Sequence, residues 1–144
     1  MQTERPMKQA VGRLRAVGLR PTRQRLALAK LLFDGPDRHV TAERLHEEAM
    51  SGGVRVSLAT VYNTLHQFTS AGLLREIVVE AGRCYFDTNT GDHHHFLFAD
   101  DGDLRDIPGS QISLASLPPA PAGTEIDRVD VVVHVRRKAV AEAD

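Results

Sequence analysis

The chain has 144 residues, of which 42% are hydrophobic and 26% are charged, a composition that excludes an intrinsically disordered protein. No apolar run approaches the ~20 residues of a membrane span, and the amino terminus lacks the apolar segment of a signal peptide, so we expect a cytoplasmic protein without a membrane partner. The single cysteine, Cys84, excludes an internal disulfide and a zinc site built from thiolates.

The formal net charge of −1 hides an uneven distribution of charge along the chain. Residues 1–75 contain 12 Lys and Arg against 6 Asp and Glu, a balance of +6, whereas residues 76–144 contain 6 against 13, a balance of −7. A basic amino-terminal half suits a polyanion such as DNA, and an acidic half suits cations or solubility.

The basic half predicts four helices in succession. In chain order they are residues 7–17, a helix that Thr22 caps and that stops at residues 34–37, residues 42–50 capped by Thr41, and residues 58–70 capped by Ser57. The fourth helix carries an apolar stripe on one side and Thr, Asn and Gln side chains on the other. Such side chains read base edges, whereas an ordinary solvated helix face contains more Lys and Glu.

Residues 73–80 and 83–87 predict two strands joined through Ala81 and Gly82 as a hairpin. Helices followed by a hairpin, with the last helix polar on its outer side, describe a winged helix-turn-helix whose second motif helix enters the major groove of DNA. The alternative is that these helices form only the core of an α+β domain.

The acidic half predicts a thin αβ domain. We expect strands at residues 93–99, 104–107 and 126–135, and a short helix at residues 110–117. The valine-rich strand 126–135 is the clearest, and such a run is usually buried on both faces or at a subunit contact. Because three strands and one helix bury little core, we expect a partner subunit to cover one face.

Three adjacent histidines, His93, His94 and His95, begin six residues after Asp87. On a strand, successive side chains alternate faces, so His93 and His95 would share one face and His94 would lie on the other. Imidazole is the commonest metal ligand, and a nearby carboxylate favours harder ions, so the cluster suits a metal or a haem. The alternative is a solvated run or a tag remnant, against which its internal position and its aromatic flanks argue.

An ordered series of motifs resembles the ferric uptake regulator (Fur) family of metal-responsive transcription factors. The motifs are GLRPTRQR at residues 18–25, HVTAE at 39–43, SLATVYNTL at 57–65, FD at 86–87 and HHH at 93–95. The resemblance implies an α+β protein with an N-terminal winged helix-turn-helix domain and hinge at residues 1–87 and a C-terminal αβ dimerisation domain at residues 88–144. It also implies a homodimer that binds double-stranded DNA at an AT-rich inverted repeat, and a regulator rather than an enzyme.

The resemblance further implies a divalent metal ion (Mn, Fe or Zn) bound between the two domains. The matching residues are His39 in the loop before the third helix, Asp87, His93, His95 and Asp106. An ion held from both domains would fix the angle between them. It would thereby set the spacing of the two DNA-binding domains in a dimer. Most family members also bind a structural zinc through two Cys-x-x-Cys pairs. Because Phe98 and Asp101 stand where the first pair would be, we expect no structural zinc held by four cysteines.

The pattern FDTNTGDHHHF at residues 86–96, together with the missing cysteines, resembles the iron response regulator (Irr) subgroup of alphaproteobacteria. That subgroup senses iron through haem and acts mainly as a repressor of genes for haem synthesis and iron use. The resemblance therefore implies haem binding by His93, His94 and His95. The Cys-Pro haem motif of some members is absent, because Tyr85 follows the single cysteine.

The candidate DNA-contacting residues are Arg20, Arg23, Arg25, Thr60, Tyr62 and Asn63. The resemblance places Arg20 in the minor groove, and we expect Tyr62 to meet thymine methyl groups.

Two alternatives remain for the function. A peroxide- or manganese-sensing regulator of the same family would share the five metal ligands. A non-haem iron enzyme is the alternative of another class, because His, His and Asp with open positions also form such sites, but the basic helical half argues against it.

Overall fold

The computed structural model describes residues 4–80 and 83–139, with side chains from residue 9 onward. The chain divides into two compact units, Met1–Thr90 and Gly91–Asp144. Each unit contains one three-stranded sheet. Within the described ranges no helix is long and apolar enough to cross a membrane.

Within the described residues, the first unit has four helices and three strands. In chain order they are α1 (Glu4–Ala16), α2 (Arg23–Phe33), β1 (His39–Val40), α3 (Ala42–Ser51), α4 (Leu58–Ser70), β2 (Arg75–Glu80) and β3 (Arg83–Asp87). The helix starts predicted at Thr22, Thr41 and Ser57 are confirmed, because each side-chain oxygen accepts a hydrogen bond from the backbone N–H three residues later, at 3.2, 3.1 and 3.1 Å. The first helix begins three residues earlier than predicted.

The core of the first unit is built from the apolar sides of its helices. The apolar stripe predicted on α4 is confirmed, because Val61, Leu65 and Phe68 are completely buried. Burying such a side chain contributes roughly 1.5–3 kcal/mol to folding. The stripe therefore fixes which side of α4 faces the core and leaves its polar side outward.

The sheet of the first unit has the strand order β1-β3-β2, and both pairings are antiparallel. The two predicted strands of the hairpin are confirmed, although β2 begins at Arg75; the predicted turn at Ala81 and Gly82 lies outside the described residues. His39, expected in a loop, lies instead on β1 opposite Asp87. A strand of two residues is too short to show a hydrophobic period, so the sequence pattern could not reveal it.

The second unit consists of β4 (His93–Phe98), β5 (Leu104–Pro108), a single 3-10 turn (Gly109–Gln111) and β6 (Val132–Val135). The central strand is β4, which pairs antiparallel with β5 and parallel with β6. The buried apolar side chains of this unit include Leu97, Leu104 and Ile107. The strands predicted at residues 93–99 and 104–107 are thereby confirmed to within one residue at each end.

Two predictions for the second unit are wrong. The helix expected at residues 110–117 is absent beyond the 3-10 turn, because so short a segment is marginal without a packed face, and Leu114 and Leu117 are about half exposed. The strand expected at residues 126–135 is reduced to Val132–Val135, since only these residues pair with β4. No side chain of residues 126–135 is buried in the single chain, so burial of this run on both faces is excluded.

Candidate metal centre and nucleic-acid interface

The strand β4 places His93 and His95 side by side. Both side chains are buried, with 5% and 2% of their surface exposed, and their ring centroids lie 4.5 Å apart. His94, between them in sequence, is half-buried. The alternation of side chains predicted for this strand therefore brings two imidazoles together on its inner face.

The carbonyl oxygen of Gly91 orients the ring of His93, and the carboxylate of Asp106 lies close to both rings. The Nδ1 of His93 lies 2.7 Å from the carbonyl oxygen of Gly91, and because a carbonyl can only accept, Nδ1 is the donor. In a neutral ring this leaves the lone pair on Nε2, which lies 3.7 Å from Oδ1 of Asp106; Nε2 of His95 lies 3.3 Å from the same oxygen. Histidines that bind metals commonly donate their other N–H to a backbone carbonyl in this way.

The β-ladder brings Asp106 to the two histidines, because it is the cross-strand partner of His95 on β5. One donor atom from each of His93, His95 and Asp106 lies within 4.8 Å of the other two. Two imidazoles and one carboxylate form a mixed nitrogen and oxygen set, which suits first-row divalent ions such as Mn, Fe and Zn. The donor set therefore fits a metal ion.

In the first unit, His39 and Asp87 are directly opposite each other on β1 and β3. Side chains of such a pair lie on the same face, with Cβ atoms roughly 4.5–5.5 Å apart. Asp87 is 1% exposed, and its Oδ1 accepts the N–H of Asn89 at 2.9 Å. Considered by itself, this unit presents a second imidazole and carboxylate pair at the end of its sheet.

His94 has a partner of its own. Its Nδ1 accepts a hydrogen bond from the backbone N–H of Val131 at 3.1 Å. This bond ties the residue before β6 to β4, in addition to the ladder between the two strands. The three histidines thus divide into a pair beside Asp106 and a single ring that holds the edge strand.

The polar side of α4 contains the three residues expected to read bases. Asn63 is exposed, and the hydroxyl of Thr60 accepts a hydrogen bond from Oγ of Ser57 at 2.9 Å. The hydroxyl of Tyr62 donates to Oε1 of Glu43 on α3 at 2.5 Å. This bond raises the pKa of Tyr62 to about 12 and lowers the pKa of Glu43.

Arg20 and Arg23 have exposed side chains, whereas Arg25 is bound to other parts of the unit. Its Nε and Nη2 donate to Oε1 of Gln67 at 3.2 and 3.0 Å, and its Nη1 donates to the carbonyl oxygen of Arg20 at 2.9 Å. Arg25 thereby joins the loop between α1 and α2 to α4. Sequence patterns did not identify Gln67 or Glu43 as partners, because they lie 42 and 19 residues away along the chain.

Residues 16–131 match the ferric uptake regulator family. The ferric uptake regulation protein of Pseudomonas aeruginosa is 31% identical over 127 residues, which cover 87% of this chain and 95% of that protein. The structure of the Pseudomonas aeruginosa ferric uptake regulator with manganese has a TM-score of 0.67 at 27% identity and covers 90% of this chain and 98% of that one. The Vibrio cholerae ferric uptake regulator, at 21% identity, shares the fold with a TM-score of 0.69, covering 88% of this chain and 98% of that one.

These matches confirm the predicted α+β class, with an N-terminal winged helix-turn-helix followed by a C-terminal dimerisation domain. They also confirm a regulator rather than an enzyme. The chain belongs to the ferric uptake regulator family, whose members are metal-responsive transcriptional regulators that bind DNA as dimers.

Proposed function

We propose that this protein is a homodimeric regulator, mainly a repressor, of genes for iron and haem homeostasis, and that a divalent metal ion increases its affinity for DNA. The observation that carries the proposal is the approach of His93, His95 and Asp106 to within 4.8 Å of one another. The bond from His93 to Gly91 supports it, because it directs a ring nitrogen lone pair toward Asp106. We propose Mn, Fe or Zn as the ion.

We propose that His39 and Asp87 complete the set of ligands. Within the first unit they share one face of the β1–β3 ladder. Asp87 precedes His93 by six residues, and a chain of that length spans at most roughly 20 Å. A bound ion would supply a coordination link between the DNA-binding unit and the dimerisation unit, which restricts their relative motion.

We propose that the polar side of α4 enters the major groove of an AT-rich inverted repeat. Tyr62 would contact thymine methyl groups, and Thr60 and Asn63 would contact base edges or phosphates. Exposed Arg20 suits a narrow minor groove, and exposed Arg23 suits a phosphate. Arg25 would contact a phosphate with only part of its guanidinium, because its other N–H groups already bind Gln67 and Arg20.

The proposal can be tested with the paired substitutions His93→Ala and His95→Ala. We expect the variant to fold, because the core of the first unit and the buried side chains Leu97, Leu104 and Ile107 are unchanged, and to lose the increase in operator affinity that Mn(II) causes in the wild type. Binding of an AT-rich inverted-repeat duplex is measured by fluorescence anisotropy while Mn(II), Zn(II) or anaerobic Fe(II) is added. His134→Ala, which removes an exposed histidine on β6, is the matched control. A paired variant that still responds to every ion would contradict the proposal.

Haem is a second candidate ligand, favoured by the presence of His94 as a third imidazole outside the metal set. Iron ligation by Nε2 of His94 needs the proton on Nδ1, and a protonated Nδ1 cannot accept the N–H of Val131. Haem binding at His94 would therefore break this bond and leave Val131 tied to β4 through its carbonyl oxygen, which accepts the N–H of His95 at 3.1 Å. For this second function we expect His94→Ala to lower haem affinity at least ~10-fold and to leave the Mn(II) response intact. Haem binding is followed by the Soret band as haem is added. A titration curve that is the same for the wild type and for His94→Ala would contradict haem binding at His94.

A further inference from the structure

The hydroxyl of Tyr62 is anchored by a residue on a different helix. Tyr62 lies on α4 with its ring partly packed against the core, and Glu43 lies in the first turn of α3. Their oxygens are 2.5 Å apart, at the short end of the range for a hydroxyl that donates to a carboxylate. The ring of His66, one helical turn after Tyr62, stacks at 6.4 Å between centroids.

The protonation states of Glu43 and Tyr62 favour this bond at neutral pH. A phenol that donates must be protonated, and its bond is strongest to an ionised carboxylate. The bond lowers the pKa of Glu43 and raises that of Tyr62 to about 12, so both required forms are favoured at neutral pH. The Tyr62 side chain is therefore held by two contacts: its ring packs against the core, and its hydroxyl binds Glu43.

The charge of Glu43 works against the affinity of the proposed DNA-binding surface. Glu43 is exposed and lies at hydrogen-bond distance from a side chain that is proposed to enter the major groove. A carboxylate near the phosphate backbone repels it and lowers affinity for DNA of any sequence. Glu43 lies in the first turn of α3, where its charge favours the helix, and its side chain also makes the short hydrogen bond that can orient the Tyr62 ring.

We propose that Glu43 is a positioning residue for sequence recognition, which holds the Tyr62 ring in the one orientation that meets thymine methyl groups. Glu43 thereby increases discrimination between sequences while it decreases affinity for DNA in general. The inference rests on the proposed function of α4. A simple charge contact would change the affinities for operator and for unrelated DNA by the same factor and leave their ratio unchanged, whereas a positioning residue changes the ratio.

The test compares Glu43→Ala, Glu43→Gln and the matched control Glu47→Ala, which removes the same charge from an exposed position on the same helix. Each Mn(II)-loaded protein is titrated with an AT-rich inverted-repeat duplex and with a GC-rich duplex of equal length. We expect Glu43→Ala to bind the GC-rich duplex more tightly and to lower the operator ratio roughly 5–10-fold, comparable to the loss of one base contact. Glu43→Gln keeps an acceptor for the hydroxyl, so the ratio stays near the wild-type value although the charge is gone. Glu47→Ala leaves the ratio unchanged.

A second arm shows whether Glu43 acts through the hydroxyl. In a Tyr62→Phe background the hydroxyl is missing, so Glu43→Ala should have no further effect on the ratio. In a Tyr85→Phe background, ultraviolet titration of the remaining phenol should show that Glu43→Ala moves its pKa from about 12 toward 10.0.

Two results would overturn the inference. In the first, Glu43→Ala leaves the ratio of operator to GC-rich affinity unchanged. In the second, Glu43→Ala lowers this ratio equally in the Tyr62 protein and in the Tyr62→Phe background. A wild-type protein with no preference for the AT-rich duplex would instead overturn the proposed function, and this inference with it.

Discussion

At the scale of single residues, three adjacent histidines have different roles because their hydrogen-bond partners differ. His93 and His95 face Asp106, whereas His94 accepts a backbone N–H and holds the edge strand. The alternation along β4 could be predicted from the sequence, because it follows from strand geometry alone. The bonds to Gly91 and Val131 could not, because they depend on where the loop and the returning chain are placed.

The ion pair between Arg38 and Glu48 makes the free energy of unfolding depend on pH. The two side chains form a bidentate pair with N–O distances of 2.9 and 2.7 Å, and Arg38 also donates to the carbonyl oxygen of Leu31 at 3.2 Å. The pair joins the end of α2 to α3. The hydrogen bonds from Arg38 lower the pKa of Glu48 below its usual 4.5.

We expect Glu48→Gln to cost about 1.5–3 kcal/mol of unfolding free energy at pH 7, the range for hydrogen bonds to a charged group. Because the pKa of Glu48 is lowered in the folded protein, this stability is fully present above pH 4.5. It is lost as the pH falls through the folded pKa of Glu48. Urea unfolding at pH 7 and at a pH below the folded pKa of Glu48 measures both values. Arg44→Ala is the control, since Arg44 is mostly exposed and its ion pair with Glu48 should contribute under about 0.5 kcal/mol. An equal cost of Glu48→Gln at both pH values would contradict this account.

At the scale of elements, helix starts were predictable and short strands were not. Thr22, Thr41 and Ser57 cap their helices through bonds to residues three positions away, so the signal is local in the sequence. In contrast, β1 exists only because it pairs with β3, and β6 extends only as far as β4 supplies partners. Pairing between distant segments leaves no periodic signal in either segment.

The bond between Arg25 and Gln67 is an element-scale link with a testable consequence. It connects the loop that carries Arg20 to α4, so it fixes the distance between the two elements proposed to read the minor and major grooves. We expect Arg25→Ala and Gln67→Ala each to weaken operator binding, and the double variant to be little weaker than Arg25→Ala. The coupling energy from the double-mutant cycle should be about 0.5–3 kcal/mol. Strictly additive effects would show that Arg25 acts only on phosphate and independently of Gln67.

At the scale of the whole molecule, the two units differ in the chemistry that they contribute. The basic charge lies in residues 1–75, with a balance of +6 where DNA binding is proposed, and three of the proposed metal ligands, His93, His95 and Asp106, lie in the acidic part. A regulator needs these two functions to be coupled. If one ion links the units, then metal and DNA must each raise the affinity of the protein for the other by the same factor.

The most direct test of the central claim is the affinity for Mn(II), measured by calorimetry with and without a saturating AT-rich inverted-repeat duplex. The account predicts that the duplex raises Mn(II) affinity roughly 5–150-fold, the same factor by which Mn(II) raises duplex affinity. It also predicts that Asp106→Asn weakens both effects together. An Mn(II) affinity that is identical with and without the duplex would contradict the proposal that this metal centre controls DNA binding.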